Sequence, residues 1–231
     1  MTQPDRTAKL PKPSSSGVLL NAPLLTPEFY LRDPRQVAPD LLGKVLVRRE
    51  GKHLRAGRIV EVEAYLGVED PAAHAHRGPT PRNQVLFGPP GRAYVYFIYG
   101  FHYCLNISCE PEGRAGCLLI RALEPVSGIE RMYAARDLEP KHGRVTELRL
   151  LTSGPGRLAE AFSITRERDN GKDVTSRRSD LQVVDDGWKP ERIVTTVRIG
   201  ITKAAEEKLR YIVAGNPFVS GKKRESPATE P

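Results

Sequence analysis

Arg58-Ile-Val-Glu-Val-Glu-Ala-Tyr-Leu-Gly67 carries the two-residue period of a β-strand, in which successive side chains point to opposite faces. Val60, Val62, Ala64 and Leu66 fall on one face and read as core. Ile59, Glu61, Glu63 and Tyr65 fall on the other. Two carboxylates and an aromatic ring therefore share one face of an apolar strand. A carboxylate at the edge of a core costs free energy unless it is paired or used. The competing reading is a solvated strand face, because Glu is rarely buried without partners.

Upstream, Lys44–Arg49 alternates as a second strand. Pro27–Arg32 and Pro34–Leu42 read as short helices, with Thr26 and Asp33 as N-caps and proline at the first helical position. Downstream, Gly67–Arg92 is a long Gly/Pro-rich loop carrying His74, His76, Arg77, Arg82 and Arg92. Loops of that length in compact domains are usually functional or disordered. Ala93–Tyr99 and Tyr103–Ser108 form a hairpin pattern around Gly100-Phe101-His102. Cys117–Leu123, Ile193–Ile199 and Leu209–Ala214 read as further strands, Val126–Arg136 and Gly156–Phe162 as helices, and Thr165–Gly187 as a charged surface excursion. Strands outnumber helices without βαβ alternation, which gives an α+β class. One domain spans 18–219, between polar, basic tails at 1–17 and 220–231 that read as disordered.

The chain has 231 residues, a formal net charge of +8 and a sequence pI near 9.5. That balance favours a polyanionic partner. No apolar run has the length of a membrane span, and the N-terminus lacks the apolar segment of a secretory signal. An intracellular protein is expected. Cys104, Cys109 and Cys117 form no CxxC pair and suit a reducing compartment as small buried hydrophobes.

Three constellations carry chemistry. Of 8 Tyr, 6 Phe and 1 Trp, six aromatics fall between Tyr94 and Tyr103. Tyr94 and Tyr96 share one strand face, and Tyr94 and Phe97 are expected to pack into the core. Tyr99 sits at the turn beside a basic loop, where a projecting side chain could wedge between base steps. Arg121 lies in Leu118-Leu-Ile-Arg-Ala-Leu123, on the same face as Leu119. An arginine in such a strand needs a carboxylate or phosphate partner, and Glu61 and Glu63 are the candidates; a purely structural ion pair is the alternative. His74 and His76 with nearby acids give a weak metal-site pattern, unsupported by HExxH or CxxC.

Together these segments resemble the alkyladenine (methylpurine) DNA glycosylase family, from Thr26-Pro-Glu-Phe-Tyr30 to Gly215-Asn-Pro-Phe-Val219. The most specific pieces are Val60-Glu-Val-Glu-Ala-Tyr-Leu-Gly67, Ala72-Ala-His74, Thr80-Pro-Arg-Asn83, Tyr94-Val-Tyr-Phe-Ile-Tyr-Gly100, Leu105-Asn-Ile-Ser108, Leu119-Ile-Arg-Ala-Leu-Glu-Pro125 and Ser153-Gly-Pro155. The resemblance implies a single mixed domain with a curved antiparallel sheet and a protruding tyrosine-bearing hairpin. It implies an enzyme that flips alkylated or deaminated purines out of duplex DNA and hydrolyses the base–sugar bond. By position, Glu63 is the implied general base, and Arg121 helps hold the water and an adjacent phosphate. The backbone carbonyl of Val213 is the implied third water contact. Tyr65, His74 and Tyr96 are implied walls of the base pocket, Asn106 its guanine-excluding floor, and Leu119 a neighbour. Tyr99 is the implied intercalating residue. Arg82 and Arg92 are phosphate candidates by charge alone. The pocket motifs hold no lysine, which fits hydrolysis by water without strand cleavage through a Schiff base. No metal or cofactor is implied. Expected partners are damaged duplex DNA and no membrane, with a monomer acting in the cytoplasm and nucleoid, or the nucleus of a eukaryote. Two other functions fit parts of the sequence. One is a metal-dependent hydrolase using His74, His76, Glu61 and Glu63; the other is a non-catalytic binder of damaged DNA.

Overall fold

The computed structural model describes residues 19, 21–98, 100, 102–140 and 144–221. The N-terminal helices form as α1 (Pro27–Tyr30) and α2 (Pro34–Leu41), each with proline in its first turn. Asp33 caps α2, its Oδ1 accepting the Arg35 N–H at 2.7 Å. Thr26 precedes α1 in extended conformation without a side-chain cap bond.

Eight strands follow in one antiparallel sheet: β1 (Val45–Glu50), β2 (His53–Leu66), β3 (Ala93–Ile98), β4 (His102–Ser108), β5 (Gly116–Ser127), β6 (Leu181–Val184), β7 (Ile193–Thr196) and β8 (Arg210–Val213). The spatial order is β3-β4-β5-β2-β1-β6, with β8 added to β2 and β7 to β8. The result is a single mixed domain around a curled antiparallel half-barrel. The strand of Glu61 and Glu63 is its organising element. Along one edge of β2, β5 pairs from Ala56 to Leu66. Along the other, β1 pairs with its first half and β8 with Glu61–Glu63.

The β2–β5 register shifts once between Ala56 and Gly57 and again on either side of Glu61. Ile59 pairs with Leu123 and Glu61 with Ala122, leaving Val60 over; Val62 then pairs with Ile120, leaving Arg121 over. One extra residue on each strand restores the register beyond. Bulges of this kind re-aim side chains beside sites. Strict alternation therefore fails at one point: Ile59 and Val60 are both in the main core, with Val62 and Ala64.

The helices α3 (Ile129–Ala135), α4 (Val145–Thr152), α5 (Pro155–Ala161) and α6 (Arg166–Asp169) complete the described domain. The helix expected from Val126 starts at Ile129 because β5 continues to Ser127. Gly128 turns the chain at φ 72°, where any side chain would collide with the Leu54 carbonyl. α4 has no counterpart among the elements expected from the sequence.

Two expectations need correction. The segment Thr165–Gly187 is not merely a surface excursion. It contains α6 and the buried strand β6, and Asp169 is fully buried in a bidentate pair with Arg48 at 2.7 and 2.9 Å. Its next residues cover the open edge of β3: the Val95 N–H donates to Asn170 Oδ1 at 3.0 Å and the Ala93 N–H to the Lys172 carbonyl at 2.8 Å. Asp169 is bound inward by a partner distant in sequence, while Arg166, Arg177 and Arg178 stay exposed. Phe97 is the second correction. It is 44 % exposed and its ring packs at a tilt against Tyr103 across the hairpin at 4.9 Å, whereas Tyr94 is buried as expected. Cys104, Cys109 and Cys117 are buried thiols. Among the described residues no helix is long and apolar enough to cross a membrane. Tyr99 and Phe101 between β3 and β4, the expected tail 1–17, and residues 222–231 of the other expected tail lie outside the described residues.

Candidate active site

One cross-strand row sets the site. Tyr94 on β3 pairs with Asn106 on β4, Asn106 with Leu119 on β5, Leu119 with Glu63 on β2, and Glu63 with Arg210 on β8. Paired residues share a sheet face, so positions far apart in the chain meet by register. In front of this row lies a cavity of about 350 Å³. Tyr65, His74, Tyr94, Tyr96, Asn106, Leu119 and Arg121 line it, with Cys104, Cys117 and the Ile199–Ile201 segment. The size is in the range of small-molecule sites.

Glu63 has no exposed surface. Its Oε1 accepts the Ile199 N–H at 2.7 Å. Its Oε2 accepts the Tyr65 hydroxyl at 3.1 Å and Arg121 Nη1 at 3.2 Å. Tyr65 and Arg121 thus stand between the carboxylate and the cavity. Burial raises the Glu63 carboxyl above the ordinary range, against the opposing pull of Arg121, the Ile199 amide and the Tyr65 hydroxyl. Arg121 is also buried, and despite that burial the charges of Glu63 and Glu61 raise its guanidinium further.

Glu61 holds the other side of Arg121. Its Oε1 accepts Arg121 Nε at 3.0 Å and Arg210 Nε at 2.6 Å. Ser220, at the start of the expected tail, is buried here: its N–H and hydroxyl donate to Glu61 at 2.5 and 2.9 Å. The two carboxylates of the β2 face are therefore paired, not solvated. They differ in surroundings: Glu61 is enclosed by the ends of four side-chain and backbone donors, whereas both Glu63 partners at Oε2 border the cavity.

His74 reaches the site from the long loop. Its Nδ1 lies 2.9 Å from the Tyr94 hydroxyl, and its ring meets Tyr96 edge-on at 4.4 Å. Part of the residue remains open to solvent. Desolvation and the charge of Arg82 hold it below the ordinary histidine range, which favours the neutral ring. Burial pushes Tyr94 up to about 12, and Cys104 and Cys117 up to about 11 and about 12. The walls therefore present neutral rings and thiols.

Buried Asn83, from the Thr80–Asn83 motif, orders that loop. Its Nδ2 donates to the carbonyls of His74 and Gly78 at 2.9 and 3.1 Å, and its Oδ1 accepts the Thr80 N–H at 2.6 Å. Asn83→Ala leaves three backbone groups without these partners. It is expected to cost about 1–3 kcal/mol and to speed amide hydrogen exchange across 70–80. Unchanged exchange there would show that Asn83 does not hold the loop.

Most of the sequence-expected residues come together, but Val213 does not join them. It pairs with Ile193 on β7, and its carbonyl accepts the Asn216 N–H at 3.2 Å. The backbone beside Glu63 is instead that of Ile199, which also lines the cavity. Arg92 is engaged with Asp173 at 3.1 Å. His76 turns away, its Nδ1 2.9 Å from the Val68 carbonyl. Among the described residues no group of three or more His, Cys, Asp or Glu is placed to hold a metal ion. Sequence reasoning missed Arg198, whose guanidinium lies 4.7 Å above the Tyr65 ring and pairs with buried Asp70. It also missed Ser220 and Asn83. The signal for Arg198 was available: a single arginine beside the apolar pair Ile199 and Ile201, where Arg121 had drawn notice for the same reason.

The model of the family described as methylpurine-DNA glycosylase matches residues 28–217. A protein of Koribacter versatilis (strain Ellin345) is 64 % identical over 195 residues, covering 84 % of this chain and 92 % of its own. One from Burkholderia cenocepacia (strain HI2424) is 48 % identical over 194 residues, covering 84 % and 89 %. One from Methanoculleus marisnigri (strain ATCC 35101 / DSM 1498 / JR1) is 48 % identical over 198 residues, covering 83 % and 96 %. All three carry the provisional name 3-methyladenine DNA glycosylase.

Proposed function

The chain belongs to the methylpurine-DNA glycosylase family, a family of base excision repair, and from that premise we propose that it excises flipped alkylated or deaminated purines with a water activated by Glu63. The carrying observation is that Glu63 shares its Oε2 with Tyr65 and Arg121, both lining the cavity.

A base inside a duplex is unreachable, so the nucleotide must be turned out. Tyr65, His74 and Tyr96 then sandwich it. Electron-rich rings favour a cationic alkylated purine over a neutral one. Asn106 donates from Nδ2 to the Tyr94 carbonyl at 3.2 Å and serves as the floor that disfavours the exocyclic amine of guanine. A water joins the Tyr65 hydroxyl and Arg121 at Glu63 Oε2. Glu63 accepts its proton as the water oxygen bonds to the anomeric carbon and the base departs with the electrons of the broken C–N bond. The carboxylate also stabilises positive charge developing on the sugar. Arg121 holds the water and meets an adjacent phosphate. The Ile199 N–H holds the other carboxylate oxygen, Oε1. The cavity lining holds no lysine among the described residues, which supports a monofunctional hydrolase. Tyr99 is the wedge that fills the vacated stack.

The test uses duplexes carrying one defined lesion, with enzyme in excess, scoring free base and alkali-labile abasic sites. Base release is expected, with no strand cleavage before alkali. Because the base must be ionised, the rate falls as pH drops through the Glu63 value. Burial puts that acid limb above the usual carboxylate range of about 4.3. A limb at or below that range would separate it from Glu63. Tight lesion binding without released base would replace the proposal with a damage-binding protein.

A further inference from the structure

Arg198 and Asp70 form a fully buried pair between the end of β2 and the segment after β7. Arg198 Nη2 donates to Asp70 Oδ1 at 3.0 Å, and Nη1 donates to Asp70 Oδ2 and, at 3.1 Å, to the Ala64 carbonyl. Asp70 in turn accepts the Leu66 N–H at 3.2 Å and the Ala72 N–H at 2.9 Å. The pair therefore grips the backbone on both sides of Tyr65, at Ala64 and at Leu66. It also fixes Ala72, which lines the cavity two residues before His74. The guanidinium plane lies 4.7 Å from the centre of the Tyr65 ring. The next residue, Ile199, gives its N–H to Glu63 Oε1.

One ion pair thus touches three walls of the cavity. Simple stabilisation accounts for it poorly. Buried ion pairs are weak stabilisers because desolvation offsets their attraction. The Arg198 Nε–H is also left without an acceptor among the described residues, a cost that native interiors usually avoid. What the arrangement secures is orientation. A planar fork can bind a carboxylate in two-point fashion and stack on a ring at the same time, and lysine cannot do both.

We propose that Arg198 and Asp70 are positioning residues of the site, holding Tyr65 as a rigid wall and presenting the Ile199 amide to Glu63. This rests on the reading of Glu63 as the base, and it predicts a directional effect. When the pair loosens, the Ile199 N–H moves off Glu63 and the ionised carboxylate loses one of its donors. The groups still facing Glu63 are Arg121, Tyr65 and, as a like charge, Glu61. The carboxyl then holds its proton to higher pH.

The experiment uses the full chain with Arg198→Lys, which keeps the charge opposite Asp70, and Asp70→Asn, which removes the negative charge and keeps one acceptor oxygen, for either Leu66 or Ala72. Two quantities are read in each. The first is the titration of the Glu63 carboxyl carbon by NMR in the free protein, assigned by its loss in Glu63→Gln. The second is single-turnover base release against pH. We expect the Glu63 midpoint to rise by about one unit, the equivalent of one charge-assisted hydrogen bond. The acid limb of the rate should rise with it, and the rate at its plateau should fall about tenfold to a hundredfold. A wild-type Glu63 midpoint and an unmoved acid limb in a folded variant would overturn the proposal, even if the overall rate fell. Should the wild type release no base while the midpoint still moves in the variants, the glycosylase mechanism fails and the positioning role stands.

Discussion

Glu63→Gln is expected to slow base release from alkylated duplex DNA by about 10²–10⁴-fold, the usual contribution of a positioned general base, while lesion binding stays within a few fold. The substitution is nearly isosteric. The Gln carbonyl can still accept from Ile199 or Arg121, so packing and the walls formed by Tyr65, His74 and Tyr96 should persist. What is lost is the ability to take a proton from water and the negative charge beneath the sugar. Two controls sharpen the result. Stability should change little or improve, because a buried carboxylate raised by desolvation is already costly in its ionised form. The acid limb assigned to Glu63 should also vanish from whatever activity remains. Binding by anisotropy and single-turnover release on the same duplex give both numbers. A variant with the wild-type rate would end the assignment of Glu63 as base, leaving it a structural partner of Arg121.

Arg121→Met should give the largest loss of stability at this site. The guanidinium bridges two carboxylates that have no exposed surface, at 3.0 Å to Glu61 and 3.2 Å to Glu63. Breaking a buried pair by removing one member typically costs about 3–5 kcal/mol. At roughly 2–4 °C per kcal/mol for a chain of this size, the melting temperature should fall by about 6–20 °C. The losses divide unequally. Glu61 keeps Arg210 and both Ser220 donors, whereas Glu63 keeps only Ile199 and Tyr65. Glu63, already raised, should therefore rise further and take up a proton at higher pH than in the wild type. A carboxyl raised on folding destabilises the native state as pH climbs from its unfolded to its folded value. The wider window in the variant makes its deficit largest at neutral pH and smaller at pH 5. Urea titrations at the two values measure the difference. A deficit independent of pH would place the lost interaction at Glu61 and not at Glu63.

These two expectations start from residues that stand out in the sequence alone. Alternation along Arg58–Gly67 put Glu61, Glu63 and Tyr65 on one face, and an arginine in an apolar strand demanded an acidic partner. Those inferences are local: a strand has a period of two, and a buried charge needs an opposite one. Composition added a basic surface, and the ordered motifs added the family, with the antiparallel fold that follows. Folding was needed to say which carboxylate does what. Glu61 and Glu63 are equivalent in the strand, and they part ways because Ser220 and Arg210 close over one while Tyr65 and the cavity border the other. Arg48 with Asp169, Arg198 with Asp70, and Ile199 with Glu63 all join segments about 100 residues apart or more. Side-chain periodicity reports only the faces of one element. Such pairings depend on strand order, on the paired irregularities that release Arg121 from the β2–β5 ladder, and on how far the half-barrel curls. Those are properties of the assembled sheet, because each is set by which strands lie side by side and not by any single strand's own pattern.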